Sequence, residues 1–322
     1  LKKRVVVTGG AGFIGSHLCE QLLIEEFSVL AIDDLSTGNP LNLAKAKDSD
    51  SFEFVQGSIL DADLINRSIE NSAGCIHLGA ALGVKQILEH PFKSLTTNIQ
   101  GTENVILACA KNAKPLFIAS TSEIYGKNSI QPLNEESDRV TGSPQLLRWA
   151  YSEAKAIDET IAEMFRLSDG LRYTVGRLFN TVGPRQTGMY GMVLPRFVES
   201  AIRGEPLTVY GDGTQTRVFC HIRDAIRAIV SLYDNEKCYG QAFNIGGEGE
   251  ISILNLAKRV IELTKSKSSV ERIPYSSVYP IGFEETMRRV PDTSKLNRFT
   301  GWKPTLHIDE IIKDIEKYIL AK

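Results

Sequence analysis

The chain has no cysteine spacing that suggests a metal site or a redox pair. Its five cysteines, Cys19, Cys75, Cys109, Cys220 and Cys238, are scattered, so neither zinc nor C-x-x-C chemistry is expected. Each sits in apolar or helical sequence, which predicts buried, reduced thiols in a cytoplasmic protein. The histidines, His17, His77, His90, His221 and His307, share no ligand spacing either, so no metal is expected. No apolar run approaches the ~20 residues of a membrane span, and a strand beginning within a few residues of Leu1 leads us to expect no signal peptide. Charge of one sign is also lacking: 37 basic residues against 39 acidic ones give a net charge of −2. A general attraction to nucleic acid or an anionic membrane is therefore excluded. Any phosphate must be held by local groups. Repeats and low-complexity tracts are absent.

What remains is ordinary globular material, 322 residues with 42% apolar and 24% charged side chains, enough for one large domain or two smaller ones. "RVVVTGG", "SVLAID", "FEFVQGS", "GCIHLGA" and "PLFIASTS" read as short apolar strands. They alternate with helical segments such as "FIGSHLCEQLLIEE" and "NIQGTENVILACAKN". That alternation predicts an α/β fold, a doubly wound parallel sheet of Rossmann type. "LRYTVGRLFN" and "QAFNIGG" read as two further strands. "TVGPRQTGMYGMVLP", "TVYGDGTQTRVF" and "KSSVERIPYSSVYPIGFEETMRRVPD" have the glycine, proline and polar texture of substrate loops. Residues 1–178 with about 218–248 are expected to form the dinucleotide-binding domain. Residues of about 179–217 with 249–322 are expected to form a smaller, discontinuous substrate-binding lobe over the sheet's carboxyl edge.

"TGGAGFIG" joins the first strand to the first helix, with Gly9, Gly12 and Gly15 three apart. Glycines there permit a tight turn, let backbone approach a pyrophosphate, and let the helix lie close on the strand. The placement between strand and helix makes this signal strong. Asp33, ending the second strand, is placed to accept from a ribose and would repel an added phosphate, so NAD is expected over NADP. In "RWAYSEAKAIDETIAEMF", Tyr151 and Lys155 share a helix face. An ammonium near a phenol is expected to lower the phenol's pKa. The tyrosine then takes a proton from a sugar hydroxyl while NAD takes the hydride.

Gly9, Gly12, Gly15, "HLGA", Ser120–Thr121–Ser122, Tyr151-x-x-x-Lys155 and "FNTVGPR" together resemble the extended short-chain dehydrogenase/reductase family, over essentially the whole chain. The resemblance implies a nucleotide-sugar enzyme with tightly held NAD. It implies Tyr151 as base, Ser122 or Thr121 bonded to the reacting hydroxyl, and Lys155 on the nicotinamide ribose. Phe13, Ile14, Asp34, Ser58, Ile59, Leu78, Ala80 and Asn98 would line the cofactor. Ser58 stands where an acidic residue is frequent, and Gly79 where alanine is commoner. Asn180 and Arg185 would face the diphosphate of a UDP-sugar, with Lys85, Val193, Arg217 and Arg288 completing the substrate contacts. Of the adjacent pair Arg288 and Arg289, position alone does not choose. A homodimer through a four-helix contact is implied too.

Glu123 in "TSEIYG" narrows the chemistry. Simple 4-epimerases of this family need no acid there, and 4,6-dehydratases carry an Asp–Glu pair of which only the second member is present. The stretch is similar to UDP-glucuronate decarboxylases, as are Arg217 in "QTRVF" and "GFEETMRRVPD". Oxidation at C4 makes a β-keto acid that loses CO2 readily, leaving Glu123 and Arg217 to orient the carboxylate and supply a proton. Facing that carboxylate, Glu123 is expected to be neutral; the alternative is a glutamate paired to Arg148 or Arg217. The expected activity is NAD-dependent decarboxylation of UDP-glucuronate. UDP-sugar 4-epimerisation is the alternative, followed by 4,6-dehydration or a non-catalytic NAD sensor.

Overall fold

The computed structural model describes residues 2–81, 91–188, 192–233, 235–277 and 284–321. β1 (Arg4–Thr8), β2 (Ser28–Asp33), β3 (Phe52–Gln56), β4 (Gly74–His77), β5 (Leu116–Thr121), β6 (Tyr173–Leu178) and β8 (Gln241–Ile245) form one sheet in the order β8-β6-β5-β4-β1-β2-β3. Every pairing in it is parallel, with Val5 opposite both Val29 and Gly74. Val5, Val6 and Val7 are fully buried, as expected for strands covered on both faces. The strand order reverses at β1, whose neighbours are β2 and β4. Ligands of such sheets bind in the crevice at that switch, beyond the carboxyl ends.

The two faces are covered by different helices. α1 (Phe13–Ile24), α6 (Ile222–Tyr233) and α8 (Ser294–Thr300) pack one face through Leu18, Leu22, Ile226, Ile229 and Leu296. α2 (Ala62–Glu70), α3 (Pro91–Lys111) and α4 (Ala150–Asp169) pack the other through Ile65, Ile69, Val105, Ile106 and Ala162. Asp61 accepts the Leu64 amide and caps α2, satisfying one of its unpaired first-turn donors. A separate core joins α5 (Val193–Arg203), α7 (Ile253–Leu263) and α9 (Ile308–Leu320) to β7 (Leu207–Tyr210), around Phe197, Leu256 and Ile312. β7 pairs in parallel with β9 (Val270–Ile273), a short strand inside sequence that reads as irregular. Leu296 and Trp302, within 249–322, belong to the core under the main sheet. The five cysteines are free and buried. No described helix is long and apolar enough to cross a membrane.

Candidate active site

The β1–α1 turn is built for close approach. Gly9 has φ of +70°, and a methyl on Gly15 would lie 2.1 Å from the Gly9 carbonyl oxygen, so no side chain fits there. Phe13 and Ile14 open α1 just beyond. Asp33 is nearly buried at 8% exposure, its carboxylate accepting the amides of Ala11 at 3.0 Å and Leu35 at 2.8 Å. Burial raises its pKa, and those amides oppose the rise. Asp34 is turned to solvent and accepts the Ser36 amide. Ser58 spends its hydroxyl on the Leu60 amide, while Ile59 packs beneath the turn with 7% exposure. Leu78 donates to the Thr8 carbonyl. Ala80 follows it, and Asn98 clamps the backbone of Ala81 through both ends of its amide. A methyl on Gly79 would come within 3.2 Å of Ile59 and 3.3 Å of Thr8. The room at "HLGA" is therefore already shared with neighbours.

The end of β5 divides its polar side chains between scaffold and crevice. Ser120 Oγ donates to Glu159 at 2.6 Å, and Arg177 grips the same carboxylate, Nη2 at 2.7 Å. Arg177 also donates to the Tyr125 hydroxyl at 2.9 Å, which donates to Asn244 at 2.7 Å. Tyr125 is therefore a buried anchor for the segment. Thr121 Oγ1 accepts the Glu123 amide at 3.2 Å and closes a single 3-10 turn, Ser122–Tyr125, with Ser122 2% exposed inside it.

Glu123 lies between two arginines. Arg148 approaches Oε2 at 2.6 Å, and Arg289 donates to Oε1. Burial alone raises the Glu123 pKa, but Arg289 and then Arg148 outweigh it and hold the carboxyl at about 2. The side chain is here an ion-paired carboxylate, as in the alternative, with Arg289 as its second partner; neutrality is expected of it only opposite a substrate carboxylate. Arg217 is near enough to interact with both Arg289 and Glu123. It donates to Glu285 at 2.6 Å. Burial and Arg289 lower its pKa, against the raising effects of Glu285 and Glu123. Three guanidiniums thus share two carboxylates, and Arg289 Nε is buried without a hydrogen-bond partner among the described residues. Arg288 is elsewhere, exposed and gripped by Glu250 at 2.7 and 2.8 Å.

α4 carries Tyr151 and Lys155 beside this cluster. Its start is pinned by Trp149, whose Nε1 donates to Glu284 at 3.0 Å. The sequence predicts that Lys155 loosens the tyrosine's proton, and here the geometry differs. The ammonium donates to Asp158 at 3.0 Å, with both side chains almost wholly buried. Burial raises the Tyr151 pKa above the ordinary phenol value, and Glu123 and Asp158 raise it further. Lys155's charge is spent on a carboxylate that sequence spacing, focused on the tyrosine, did not bring forward.

The loop after β6 leans on α1. Asn180, at φ +30°, donates to the Val218 carbonyl at 2.8 Å. Arg185 is paired with Glu20 of α1, and His17 of the same helix meets the Pro184 carbonyl at 3.0 Å. Thr181 Oγ1, Arg185 Nη1 and Gln186 Oε1 are buried without partners among the described residues. Buried polar atoms without partners are what a polar ligand satisfies. Val193 starts α5 and packs on the second core. Lys85 lies outside the described residues.

Residues 6–315 match the family described as GDP-mannose 4,6 dehydratase. The chain is 38% identical over 315 residues to a UDP-N-acetyl-alpha-D-glucosaminuronate decarboxylase of Bacillus cytotoxicus, covering 98% of this chain and 97% of that one. It is 31% identical to UDP-glucuronic acid decarboxylase 1 of Danio rerio, covering 98% of this chain and 72% of the relative. Its fold is similar, at a TM-score of 0.89 and 27% identity over 99% of both chains, to the UDP-glucuronic acid 4-epimerase of Bacillus cereus in complex with UDP-glucuronic acid and NAD. With sheet, glycine turn, and Tyr151–Lys155 face in agreement, the chain belongs to the GDP-mannose 4,6 dehydratase family of extended short-chain dehydrogenases/reductases.

Proposed function

We propose that this protein is an NAD-dependent decarboxylase of a UDP-hexuronate, with UDP-glucuronate as substrate. The observation that carries the reading is the excess of guanidinium over carboxylate around Glu123. A cluster left net positive beside the Tyr151 helix is complementary to a substrate carboxylate. NAD fits the residues present: the Gly9–Gly15 cradle admits close backbone approach, and Asp33 is held at the second strand's end. Arg185 turns an unspent buried nitrogen into the loop beside α1.

When bound, NAD supplies reversible hydride acceptance at sugar carbon four. Tyr151, once ionised by the positive charge that Lys155 and a bound nicotinamide would bring beside it, takes the C4 hydroxyl proton, and Ser122 or Thr121 orients that hydroxyl. Lys155 faces the nicotinamide ribose. The resulting β-keto acid is held by Arg148, Arg289 and Arg217, which fix its carboxylate. The electrons of the C5–C6 bond pass into the C4 carbonyl as CO2 leaves, and C5 then gains a proton. Arginine stays charged throughout and donates no proton in this range. Glu123 gains acid character only when a substrate carboxylate takes a share of its guanidiniums. Asn180, Val193 and Lys85 remain the proposed contacts for the rest of the nucleotide sugar, and Arg289 takes the place first given to Arg288.

A second reading, 4-epimerisation of the same UDP-uronate, is favoured by the fold likeness to an epimerase complexed with UDP-glucuronic acid. Mass spectrometry after mixing with UDP-, dTDP- and CDP-sugars separates the two. Decarboxylation gives a UDP-pentose or its 4-ketone from UDP-glucuronate alone, whereas epimerisation leaves the mass unchanged. Tyr151→Phe is expected to remove at least ~10³-fold of the rate. A cytoplasmic homodimer belongs to the same proposal. Ile157, Met164 and Leu167 on α4 and Leu107 on α3 are exposed apolar side chains on the helices expected to pair. Light scattering showing a monomer at working concentration would remove the dimer.

A further inference from the structure

Beneath the Tyr151–Lys155 face runs a buried polar chain that the reaction above does not use. Lys155 Nζ donates to Asp158 Oδ2 at 3.0 Å, and Thr102 Oγ1, from α3, donates to the same oxygen at 3.1 Å. Thr102 Oγ1 is 3.0 Å from His77 Nε2, and His77 Nδ1 is 2.7 Å from Thr8 Oγ1. Thr8 Oγ1 in turn accepts the Gly79 amide at 3.2 Å. Thr8, His77, Thr102 and Asp158 are 0% exposed.

The proton positions follow from satisfying every link. Thr102 gives its proton to a carboxylate, so its oxygen accepts from His77 Nε2–H. His77 Nδ1 is then an acceptor and takes the Thr8 proton, leaving the Thr8 oxygen for the Gly79 amide. His77 is accordingly neutral, and burial, aided by Lys155, pushes its pKa down to about 3. The four side chains from Thr8 to Asp158 are fully buried, so the line is not a proton outlet. It is a line of fixed dipoles ending on a carboxylate.

That carboxylate is expensive. Asp158 Oδ1 is buried with no hydrogen-bond partner among the described residues, and an apolar residue there would avoid the desolvation cost. The groups around it are Lys155 and Glu159 on α4, Thr102 on α3 and His77 on β4, with Glu123 facing Tyr151 from the end of β5. Lys155 is the only cation among them.

The geometry points to Asp158 as a positioning residue: it fixes the Lys155 ammonium in a dry site and sets how much of its charge reaches Tyr151. The Thr8–His77–Thr102 line ties this setting to the ends of β1 and β4, which carry the cofactor turn. The inference rests on the proposed placement of Lys155 at the nicotinamide ribose. Without Asp158, a desolvated ammonium loses its proton more readily, while Tyr151 loses a neighbouring negative charge.

The test uses cofactor-stripped full-length protein and NAD titrated by calorimetry across pH 6 to 9, a readout that involves no sugar. Asp158→Asn is expected to weaken NAD binding about tenfold between pH 6 and pH 9, a range over which the parent is flat. With sugar present, both limbs of its kcat/KM profile move toward acid by about one unit. Thr102→Val, which removes one donor to Asp158 and leaves Lys155 untouched, moves both readouts the same way by about threefold. It decides the matter if Asp158→Asn does not fold. Folded variants with flat, parent-like NAD affinity and an unmoved profile overturn the proposal, since a packing role alone would lower activity equally at every pH. Unchanged NAD affinity in Lys155→Met overturns it as well, by removing the placement beneath it. Shifted NAD affinity with no sugar turned over leaves Asp158 in its role and removes the decarboxylase reading instead.

Discussion

Two glutamates near the end of β5 meet arginine in opposite ways. Glu159 is held by Arg177 and Ser120, and Arg177's remaining nitrogen goes to Tyr125 and the Glu135 carbonyl. Charge there is balanced one to one, and the donors are spent. Glu123 has Arg148 and Arg289 on one carboxylate, with Arg217 beyond them on Glu285. Donors there are in excess, and Arg289 Nε has no partner among the described residues. A closed network fixes the backbone that presents "TSEIYG", and an open one can still take an anion. Polar satisfaction, more than residue type, separates scaffold from site.

Breaking the closed network is expected to cost the most. Arg177→Ala leaves Glu159 buried and unpaired, a loss of about 3–5 kcal/mol, or roughly a 10 °C fall in Tm for a chain of this size. Substrate affinity in the surviving folded fraction should be unchanged, as a thermal melt paired with a KM measurement will show. Arg289→Ala is expected to do the reverse: little change in Tm, but a KM for UDP-glucuronate about 10²-fold higher, with UDP-glucose binding barely altered. An equal loss for both sugars would count against a carboxylate site.

The smallest effect is set by pH. Glu123 has a folded pKa of about 2 against an ordinary 4.5, so its ion pairs stabilise the fold fully above about pH 4.5. That contribution declines as pH falls and is gone below about 2. The stability difference between the parent and Glu123→Gln should therefore shrink by roughly 1 kcal/mol from pH 6 to pH 4, read from urea melts. A difference that grows on acidification would mean that the folded pKa is raised rather than lowered, and that the arginines do not hold the carboxylate.

The sheet was legible because its evidence is periodic: valine-rich runs, a glycine turn, then an amphipathic helix, repeated. The tyrosine and lysine were legible for the same reason, four residues apart on one helix. Arg289 was not. It and Arg288 are adjacent in an irregular segment, and which turns inward depends on where that segment is pinned. The Leu133 amide bonds the Val290 carbonyl and the Thr216 amide bonds the Met287 carbonyl, contacts between residues far apart in the chain. Lys155's partner was hidden differently. Asp158 stands three residues on along the same helix, and only the packing of α3 and β4 against that helix shows it to be buried rather than solvated. The charge on Glu123 likewise depends on two arginines that tertiary structure brings in.

The most direct measurement follows carbon six. With UDP-glucuronate labelled at its carboxyl carbon, the label should leave as CO2 in step with formation of a UDP-pentose or its 4-ketone, and Tyr151→Phe should retain it. Label kept in a UDP-uronate inverted at carbon four would contradict the account, because the arginine cluster would then bind the carboxylate without releasing it.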